Sequence, residues 1–592
     1  MNKTDKLIVV VLVLVLAGWL WHSFDQQKKQ AAARAEALAA EAAQAPQAAG
    51  SATNAVAEAT AATNAVSAVA EKPTPPPVKR VQAPEQTVVL SNAEMAVTLS
   101  TRGAVVKQAT LFGYAEKSGP ISAENPALVL DFASAPVMAL EDVPGLAADE
   151  DYAIAESDAA HVVFKNAAAT RRITLKEGFQ LALEEQFAPN VVAAAQTAAH
   201  RLSLGAMTMG HSKNDLLSID SMTLGAKPKA LHHGEEEPLK SYLVASAGGC
   251  SGKHSAEGIP ETTPVEVPGG QKWLAVKNRF FVTALAETSE QNAGFRATMT
   301  RDMAQADYVL KSVSAAATFA KLPEKRTATF YVGPKKQALL WDLGMRDVME
   351  YGMWRWLCYP LVWTLNACHA LYPSFGIAII LLTIVVRLVF WPLTHKSTVG
   401  MRKMQEIQPK LKALQAKFKG NPQRLQQETW QLYRTEKVNP MSSCLPMLVQ
   451  IPVFIALFNV LRASVELRYA PFLWIADLSE PEGLFASWFP FGGLNILPIL
   501  MAATMALQSW LTPSTGDKNQ QRMMMVMMPL MMLFMFYSFP AALSLYWTLS
   551  QVFSIVQMWY IRKKYGTPAP KPGVLEPDAV EMPQTRQMRR HG

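Results

Sequence analysis

The stretch FGIAIILLTIVVRLVFWPL, residues 375–393, is an apolar run that contains one charged residue, Arg387. A run of this length is typical of a helix that crosses a bilayer, which needs about 20 apolar residues. Since the middle of the run is near Ile384, Arg387 lies only about 4.5 Å along the axis from the centre of the hydrocarbon. A charge at that depth costs roughly 2.5–3.5 kcal/mol on insertion scales. We therefore predict a membrane protein whose helices accommodate a cation at depth.

Further apolar runs place this span in a larger bundle. Together with the apolar N-terminus they predict a polytopic α-helical membrane protein with six transmembrane helices. Several runs are close to the lower length limit for a span, which predicts a locally thinned bilayer. The additional spans are predicted at Leu445–Leu461, Leu494–Leu511, Met523–Phe539 and Ala541–Tyr560.

The N-terminal region predicts an anchor followed by a tether. Residues 1–24 are apolar after a short basic start, and Trp19 and Trp21 stand where small residues would mark a cleavage site. We therefore predict a retained signal-anchor transmembrane helix. Residues 25–86 are rich in Ala and Pro and have too little apolar bulk to fold, which predicts a flexible linker.

Between the linker and the later spans, the pattern changes to short alternating runs such as TVVLSN at 87–92 and ATFYVGP at 328–334. Alternation with period two is typical of strands. Residues 87–340 are therefore predicted to form a large all-β sandwich. No Gly-rich phosphate loop and no Gly-x-Ser-x-Gly motif occurs there, so we do not expect an enzyme.

Metal and cofactor sites are not indicated. The segment HHGEEEP, residues 232–238, is the strongest local candidate for a metal site, but clustered His and Glu without a distant partner are more typical of a solvated loop. The four cysteines form no CxxC pair, so neither a zinc site nor a disulfide framework is predicted. We expect no metal, no cofactor and no small-molecule substrate.

Loop charges predict the orientation. Lys and Arg greatly outnumber acidic residues in 395–440, whereas 462–490 is acidic. The positive-inside rule places the first loop and the basic tail, 562–592, in the cytoplasm. The β-sandwich is then periplasmic, which predicts a multi-pass protein of the bacterial inner (cytoplasmic) membrane. The aromatic-rich segment 350–373 is predicted to be an amphipathic helix lying in the membrane interface.

The basic region 395–440 is predicted to form a cytoplasmic helical hairpin. Its turn is expected at Gly420-Asn421-Pro422, and Pro409 is expected to bend the first helix. A basic hairpin above an anionic membrane would bind lipid headgroups or a nucleic acid such as ribosomal RNA. A solvated charged face is equally consistent with this charge.

The predicted spans contain no Asp or Glu to pair with Arg387, but they carry many uncharged polar residues. Thr383 precedes Arg387 by one helical turn and lies on the same face. Because polar groups inside a membrane need water or partners, we predict a hydrated groove that attracts acidic groups; the alternative is that Arg387 snorkels to the headgroups. Its further predicted members are Gln450, Asn459, Thr504, Gln508, Ser544, Thr548 and Gln551, of which those in the last span recur at helical spacing.

The stretch RMMMVMMPLMMLFMF, residues 522–536, is unusually rich in Met. Met side chains are flexible and polarisable, and they adapt to many apolar partners. We predict a hydrophobic slide for such partners, and ordinary lipid-facing packing is the alternative. The slide residues are Met523, Met524, Met527, Met528 and Met531.

The region around Arg387, NPMSSCLPMLVQIPVF at 439–454 and SVELRYAPFLWIADLS at 464–479 are similar to segments of a known family. They resemble the Oxa/Alb/YidC family of membrane protein insertases, and the similarity covers about residues 351–560. The outer domain resembles that of the Gram-negative members more loosely, through NAEMAVTLSTRGAVVKQATLFGY at 92–114.

The resemblance implies an insertase core over residues 375–561. It implies that the protein inserts and helps fold nascent membrane proteins, alone or with the SecYEG translocon, and that ribosomes and lipids meet the hairpin and the tail. It also implies a β-supersandwich like those of sugar mutarotases.

Arg387 and Thr383 correspond to groove residues of the family, and Tyr546 and Trp547 to an aromatic pair on the last helix. The second position is typically Tyr, so Trp547 keeps a ring but lacks the phenol oxygen. The rival interpretations are a secondary transporter or channel, which would show inverted repeats with broken helices, and a sugar-processing β domain.

Overall fold

The computed structural model describes residues 84–144, 146, 148–196, 198–208, 217–224, 230–234, 261–301, 310–418, 420–439, 445–485, 493–511 and 523–565. Apart from Met523, these residues belong to one compact unit. The predicted signal-anchor, residues 25–83 of the predicted linker and residues 566–592 of the predicted tail lie outside the described residues.

The first part of the described chain is built from β-strands, as the alternating sequence predicts. Strands β10 and β17 of one sheet contact β14 and β15 of the other, so the apolar faces meet in a common core. The strands are β1 Thr87–Ser91, β2 Met95–Ser100, β3 Val105–Ala115, β4 Ala127–Asp131, β5 Val137–Glu141, β6 Ala153–Ser157, β7 His161–Lys165, β8 Ala169–Leu175, β9 Gln180–Phe187, β10 His200–Thr208, β11 Ser218–Thr223, β12 Ala230–Gly234, β13 Thr262–Pro268, β14 Gln271–Lys277, β15 Phe281–Thr288, β16 Gly294–Arg301, β17 Leu310–Phe319 and β18 Lys325–Pro334.

These strands form two nine-stranded sheets within the described residues. The first has the order β1-β2-β3-β5-β10-β17-β16-β13, with β4 also paired to β3, and the second has the order β12-β11-β14-β15-β18-β9-β8-β7-β6. The prediction of a β-rich domain is confirmed. One local prediction is wrong: His232 and His233, expected in a solvated loop, lie on β12, where they pair with β11.

A glycine shapes the centre of the first sheet. The pairing of β10 with β17 shifts register between Ser203 and Ala206, and Gly205 lies inside this bulge with φ +90°. A Cβ on Gly205 would lie 2.6 Å from Val137 Cγ2. Glycine is therefore required both for the backbone conformation and for the close approach of the neighbouring strand.

The β core also encloses ions. Glu185 accepts hydrogen bonds from Arg171 Nε at 2.9 Å and from Arg326 Nε at 2.6 Å, and all three side chains are fully buried. Burial alone would raise the pKa of the Glu185 carboxyl, but the two guanidinium groups outweigh it and hold that pKa below its ordinary value. Next to Arg326, burial and the neighbouring cation lower the pKa of His200 to about 4, so His200 is neutral at physiological pH.

The second part of the described chain is helical, and one further short helix lies within the β domain. The helices are α1 Pro189–Ala194, α2 Gln337–Asp342, α3 Arg355–Leu371, α4 Phe375–Glu406, α5 Gln408–Lys417, α6 Pro422–Thr435, α7 Leu445–Ala463, α8 Ile496–Leu511, α9 Met528–Phe536 and α10 Ala541–Tyr565. Short 3₁₀ segments lie at Arg346–Met349, Gly352–Trp354 and Val465–Leu467, and a π-helical turn, Met523–Met527, leads into α9.

The helix boundaries refine several expectations. Helix α3, over most of the segment predicted to lie in the interface, continues through Pro360. Helix α4 extends to Glu406, so residues 395–406 continue the first span rather than begin the hairpin. The helix ends before Ile407, two residues ahead of Pro409. Helix α5 is then linked to the end of α6 by Lys410 Nζ and Glu436 Oε1, which are 2.5 Å apart; Glu436 directly follows α6.

Among the described residues, one helix is both long and apolar enough to cross a membrane, Phe375–Glu406. The segments Gln450–Ala463, Ile496–Trp510 and Met525–Phe536 are apolar but shorter. The count of six transmembrane helices therefore stays a prediction.

The β domain and the helices are joined by two basic side chains, of which Arg279 is buried and Arg468 is partly buried. Arg279, at the turn between β14 and β15, donates from Nε to the carbonyl oxygen of Arg462 at 2.9 Å and from Nη2 to that of Ser479 at 2.6 Å. It also pairs with Glu480. Arg468 donates from Nη1 to the carbonyl oxygen of Ala115 on β3 at 2.8 Å. Because these contacts connect the end of α7 and the following loop to both sheets, they fix the β domain on that end of the helices.

Candidate functional site

Arg387 lies on α4, twelve residues after Phe375, which is about 18 Å along the helix axis. Its Nη2 donates to the carbonyl oxygen of Ser550 on α10 at 2.6 Å, and the side chain is only partly buried. The same carbonyl accepts the hydroxyl of Ser554 at 3.0 Å. The guanidinium thus has a hydrogen-bond partner that the sequence did not reveal, and this partner is a neutral backbone oxygen.

A second polar contact fixes the register of α4 on α10. Gln557 Nε2 donates to Thr394 Oγ1 at 3.1 Å. Both helices advance by seven residues between the two contacts, from 387 to 394 and from 550 to 557. The two helices therefore run parallel, and uncharged polar groups connect them over about two turns.

Several polar atoms of α10 have no protein partner within the described part of the chain. They are Ser544 Oγ, Ser550 Oγ and Trp547 Nε1, all buried. Buried polar groups are nearly always hydrogen-bonded, and those without a protein partner are typically bonded to water. We therefore expect ordered water along this side of α10, close to Arg387.

The predicted groove residues divide into packed and accessible sets. Thr383 is fully buried, and its hydroxyl donates to the Ile379 carbonyl oxygen of its own helix at 2.7 Å. Tyr546 is buried too, and its hydroxyl accepts from Gln450 Nε2 at 3.1 Å. Ser544 and Thr548 are also buried, whereas the partly accessible members are Arg387, Gln450, Thr504, Gln508, Trp547 and Gln551.

Asn459 does not join this group. It lines a separate cavity with Arg462 and residues of the β domain. Along α7, Asn459 is nine residues beyond Gln450, about 13 Å further along the axis. The sequence places both residues in one apolar run, but only the structure shows that they lie at different depths.

An aromatic cluster surrounds Trp547 and was missed by the sequence analysis. The Trp547 ring meets Phe454 edge-on with ring centroids 5.0 Å apart, and it lies 5.5 Å from Phe536. Phe454 on α7 and Phe536 on α9 are also neighbours, with centroids 5.9 Å apart. The available signal is the Phe454–Phe458 pair at spacing i, i+4, but such pairs are common in apolar helices.

The Met-rich segment presents an exposed apolar face. Met527 and Met531 are 59% and 58% exposed. Leu530 and Phe534 lie on the same side of the helix; the exposure of Leu530 is similar and that of Phe534 is greater. Met528 is partly buried, and the side chains of Met523 and Met524 lie outside the described set. An exposed apolar face of this size is suited to contact with lipid or with another apolar helix.

These features define a class: a helical membrane protein whose helices hold polar groups around an arginine, with a β-sheet domain fixed on one end. Comparison with protein families agrees with that class. The family model described as "60Kd inner membrane protein" matches residues 367–568. The model described as "YidC periplasmic domain" matches residues 244–364.

Curated relatives of this chain carry a name that matches the second of these models in part. A "Membrane protein insertase YidC" from Syntrophobacter fumaroxidans is 40% identical over 49% of this chain and 53% of its own length. Another, from Thioalkalivibrio sulfidiphilus, is 36% identical over 58% of this chain and 61% of its own. Over these residues the chain is thus similar to the YidC family of membrane proteins, in its helical part and in part of its β-sheet domain. It aligns with about half to three-fifths of the length of these relatives.

One solved structure aligns with much of this chain, at low similarity. "Active YidC insertase crystal structure with the first transmembrane domain resolved" aligns with 81% of this chain and 93% of that chain, at 17% identity and a TM-score of 0.32.

Proposed function

We propose that this protein is a membrane protein insertase, and that the polar seam between α4 and α10 is where a nascent chain enters. The observation that carries the proposal is the Arg387 guanidinium, bonded to the Ser550 carbonyl oxygen at 2.6 Å and only partly buried. Polar side-chain atoms that have no protein partner among the described residues lie on α10, the helix that carries Ser550. A cation with spare donors in a partly hydrated seam attracts acidic or polar segments.

The energetics suit a substrate with a hydrophilic tail. A carboxylate at the centre of a bilayer costs roughly 2.5–3.5 kcal/mol on insertion scales. A charge-assisted hydrogen bond from Arg387 contributes about 1.5–3 kcal/mol. Arg387 would therefore offset most of the cost of moving one acidic residue across the hydrocarbon.

The driving force is burial of the apolar segment of the substrate. That segment would move along the exposed face of α9, formed by Met527, Leu530, Met531 and Phe534, into the lipid. Removing apolar surface from water contributes about 25 cal/mol per Å², so the step requires no nucleotide. We infer that the chain is not an enzyme.

The topology proposal follows from the same helices. We propose six transmembrane helices, counting α4, α7, α8, α9 and α10 after an N-terminal anchor, with the β domain in the periplasm and residues 395–440 in the cytoplasm of an inner-membrane protein. The parallel course of α4 and α10 supports it, since the first and the fifth of five consecutive spans run in the same direction.

Ribosomes, lipids and the SecYEG translocon are the proposed partners besides nascent chains. The hairpin α5–α6 and the basic C-terminal tail carry the positive charge that would meet ribosomal RNA and anionic lipid. Ribosome co-sedimentation with the purified protein tests this directly. Charge reversal of hairpin lysines should abolish it without changing the groove.

To test the insertase proposal, we would reconstitute the protein in liposomes and follow two single-span substrates, one with an acidic tail and one with a neutral tail. Arg387→Ala should lower insertion of the acidic-tail substrate by roughly tenfold or more, the equivalent of about 1.5 kcal/mol or more. The neutral-tail substrate should be affected much less. Arg387→Lys should retain most activity because it keeps the charge.

Arg355→Ala is a suitable control, because Arg355 is an exposed arginine at the start of α3. Equal loss for both substrates in Arg387→Ala would point to a structural role. Unchanged insertion of the acidic-tail substrate would reject the role of the charge.

A further inference from the structure

A cavity lies at the junction of the β domain and α7. It has a volume of about 120 Å³, which is enough for several water molecules or one tetrahedral oxyanion. It is lined by Lys277 at the end of β14, by Lys335 after β18 and by Arg462 near the end of α7. Its walls thus come from both the second β-sheet and a helix of the membrane part.

Positive charge dominates this cavity. Four cationic side chains line it, and three carboxylates pair with them, so 4 − 3 leaves one excess positive charge. The cations are Lys277, Arg279, Lys335 and Arg462. The carboxylates are Asp220 and Glu350, which pair with Lys277, and Glu480, which pairs with Arg279.

Two of the cations already have a full set of acceptors. Lys277 Nζ donates to the carbonyl oxygen of Val348 at 2.8 Å besides its two carboxylates. Arg279 donates to two carbonyl oxygens and to Glu480. These side chains hold the junction together, and they shape the cavity rather than provide spare donors to it.

The other two have donors to spare. Lys335 is 5% exposed, and within the described part of the chain its ammonium and the Arg462 guanidinium have no hydrogen-bond acceptor. The guanidinium of Arg462 lies over the Phe458 ring, 5.7 Å from its centroid. A buried ammonium without an acceptor is energetically unfavourable. That cost is offset if an anion occupies the cavity between the two groups.

We propose that this cavity binds a phosphate group, with Lys335 and Arg462 as its donors. Gln450 on α7 is hydrogen-bonded to Tyr546, which lies one helical turn from Ser550, the partner of Arg387. Gln450 is therefore at about the depth of Arg387. Arg462 lies twelve residues beyond Gln450 on the same helix, about 18 Å along the axis. Half the hydrocarbon thickness is about 15 Å. The cavity therefore lies at headgroup level, where the phosphodiester of a phospholipid is the most abundant anion. Free phosphate has the same tetrahedral chemistry.

Burial and the neighbouring Lys277 lower the pKa of Lys335 to about 7, and they outweigh the opposing effect of Glu350 and Asp220. A bound phosphate would return the ammonium to its charged form. The site would couple lipid occupancy to the seating of the β domain on the helices, because Arg279 and Lys277 line the same cavity.

The test uses the full-length protein, delipidated in a maltoside detergent that contains no phosphorus. The unfolding midpoint would be measured against inorganic phosphate, with sodium chloride at equal ionic strength as reference, and separately against short-chain phosphatidylglycerol, with a phosphate-free diacylglycerol as reference. The variants are Lys335→Met, Arg462→Gln and, as a control, Lys336→Met. Lys336 is the next residue in the chain, but it lines a different cavity beside Tyr114.

We expect the dissociation constant to rise at least tenfold in Lys335→Met and Arg462→Gln and to stay unchanged in Lys336→Met. Binding of phosphatidylglycerol alone would identify the lipid as the source, and binding of both ligands would extend the site to free phosphate. The proposal is overturned if neither ligand shifts the midpoint beyond its reference, or if Lys335→Met binds as tightly as the unmodified protein.

Discussion

Replacing Glu185 by Gln tests how the β domain tolerates ions in its core. Glu185 is the single carboxylate between Arg171 and Arg326 in their fully buried cluster. The substitution keeps the shape and removes the charge, which leaves two guanidinium groups without a counter-ion. Breaking a buried ion pair in this way costs about 3–5 kcal/mol. Arg171 also donates to the carbonyl oxygens of Gly103 and Met138, so it cannot turn away to solvent without exposing them.

The expected loss is large enough to measure by heat unfolding. For a domain of about 150–250 residues, 1 kcal/mol shifts the midpoint by roughly 2–4 °C, so Glu185→Gln should unfold about 6–20 °C earlier. The assay is thermal unfolding of the full-length protein in detergent. Hydrogen exchange of the peptide covering β9 would show that the β domain is the part that opens.

The chain provides a matched control in the adjacent residue. Glu184 is an exposed carboxylate on the opposite face of β9, so Glu184→Gln should change the midpoint by no more than a degree or two. If Glu185→Gln unfolds within the same narrow range as Glu184→Gln, the guanidinium groups must have another source of compensation. The description of Glu185 as the counter-ion of both guanidinium groups would then be refuted.

Two further predictions concern Lys335 and Gly205. Burial lowers the pKa of Lys335 from 10.5 to about 7, so between these values the unfolded chain binds a proton that the folded chain does not, and stability should rise with pH across that window. Chemical denaturation from pH 7 to 10.5 should show this rise in the unmodified protein and a flatter profile in Lys335→Met; equal slopes would contradict the assignment. Gly205→Ala should destabilise by about 2–5 kcal/mol through backbone strain and overpacking against Val137, whereas Gly178→Ala, with φ +71° and open space around it, should cost only about 1–2 kcal/mol. Comparable losses in the two glycine variants would mean that overpacking contributes nothing.

Local sequence patterns were sufficient to predict which parts of this chain form strands and which form helices. Period-two alternation predicts the strands of the β domain, and the apolar run from Phe375 predicts α4, because both signals depend on which residues face away from water. The end of α4 was less predictable. Residues 395–406 were predicted to begin the cytoplasmic hairpin, but α4 continues through them to Glu406 and ends just before Pro409.

The candidate site was predicted only in outline. Arg387 was found because a charge in an apolar run is conspicuous, and its need for polar company followed from the cost of burial. Its actual partner, the carbonyl oxygen of Ser550, leaves no mark in the sequence, since every residue carries a carbonyl. Thr383 and Tyr546, expected at the groove, are buried, and Asn459 lines the junction cavity instead.

By itself, the sequence determined which kinds of structure this protein contains: an apolar helical part, a β part with alternating residues, and one arginine at membrane depth. These follow from short-range periodicity and from transfer costs that each residue carries with it. Only the tertiary structure decided which polar groups meet. Residues 277, 335 and 462 enclose one cavity although the chain separates them widely, because hydrogen bonds and charge pairing act over a few ångströms and depend on packing that no local pattern encodes.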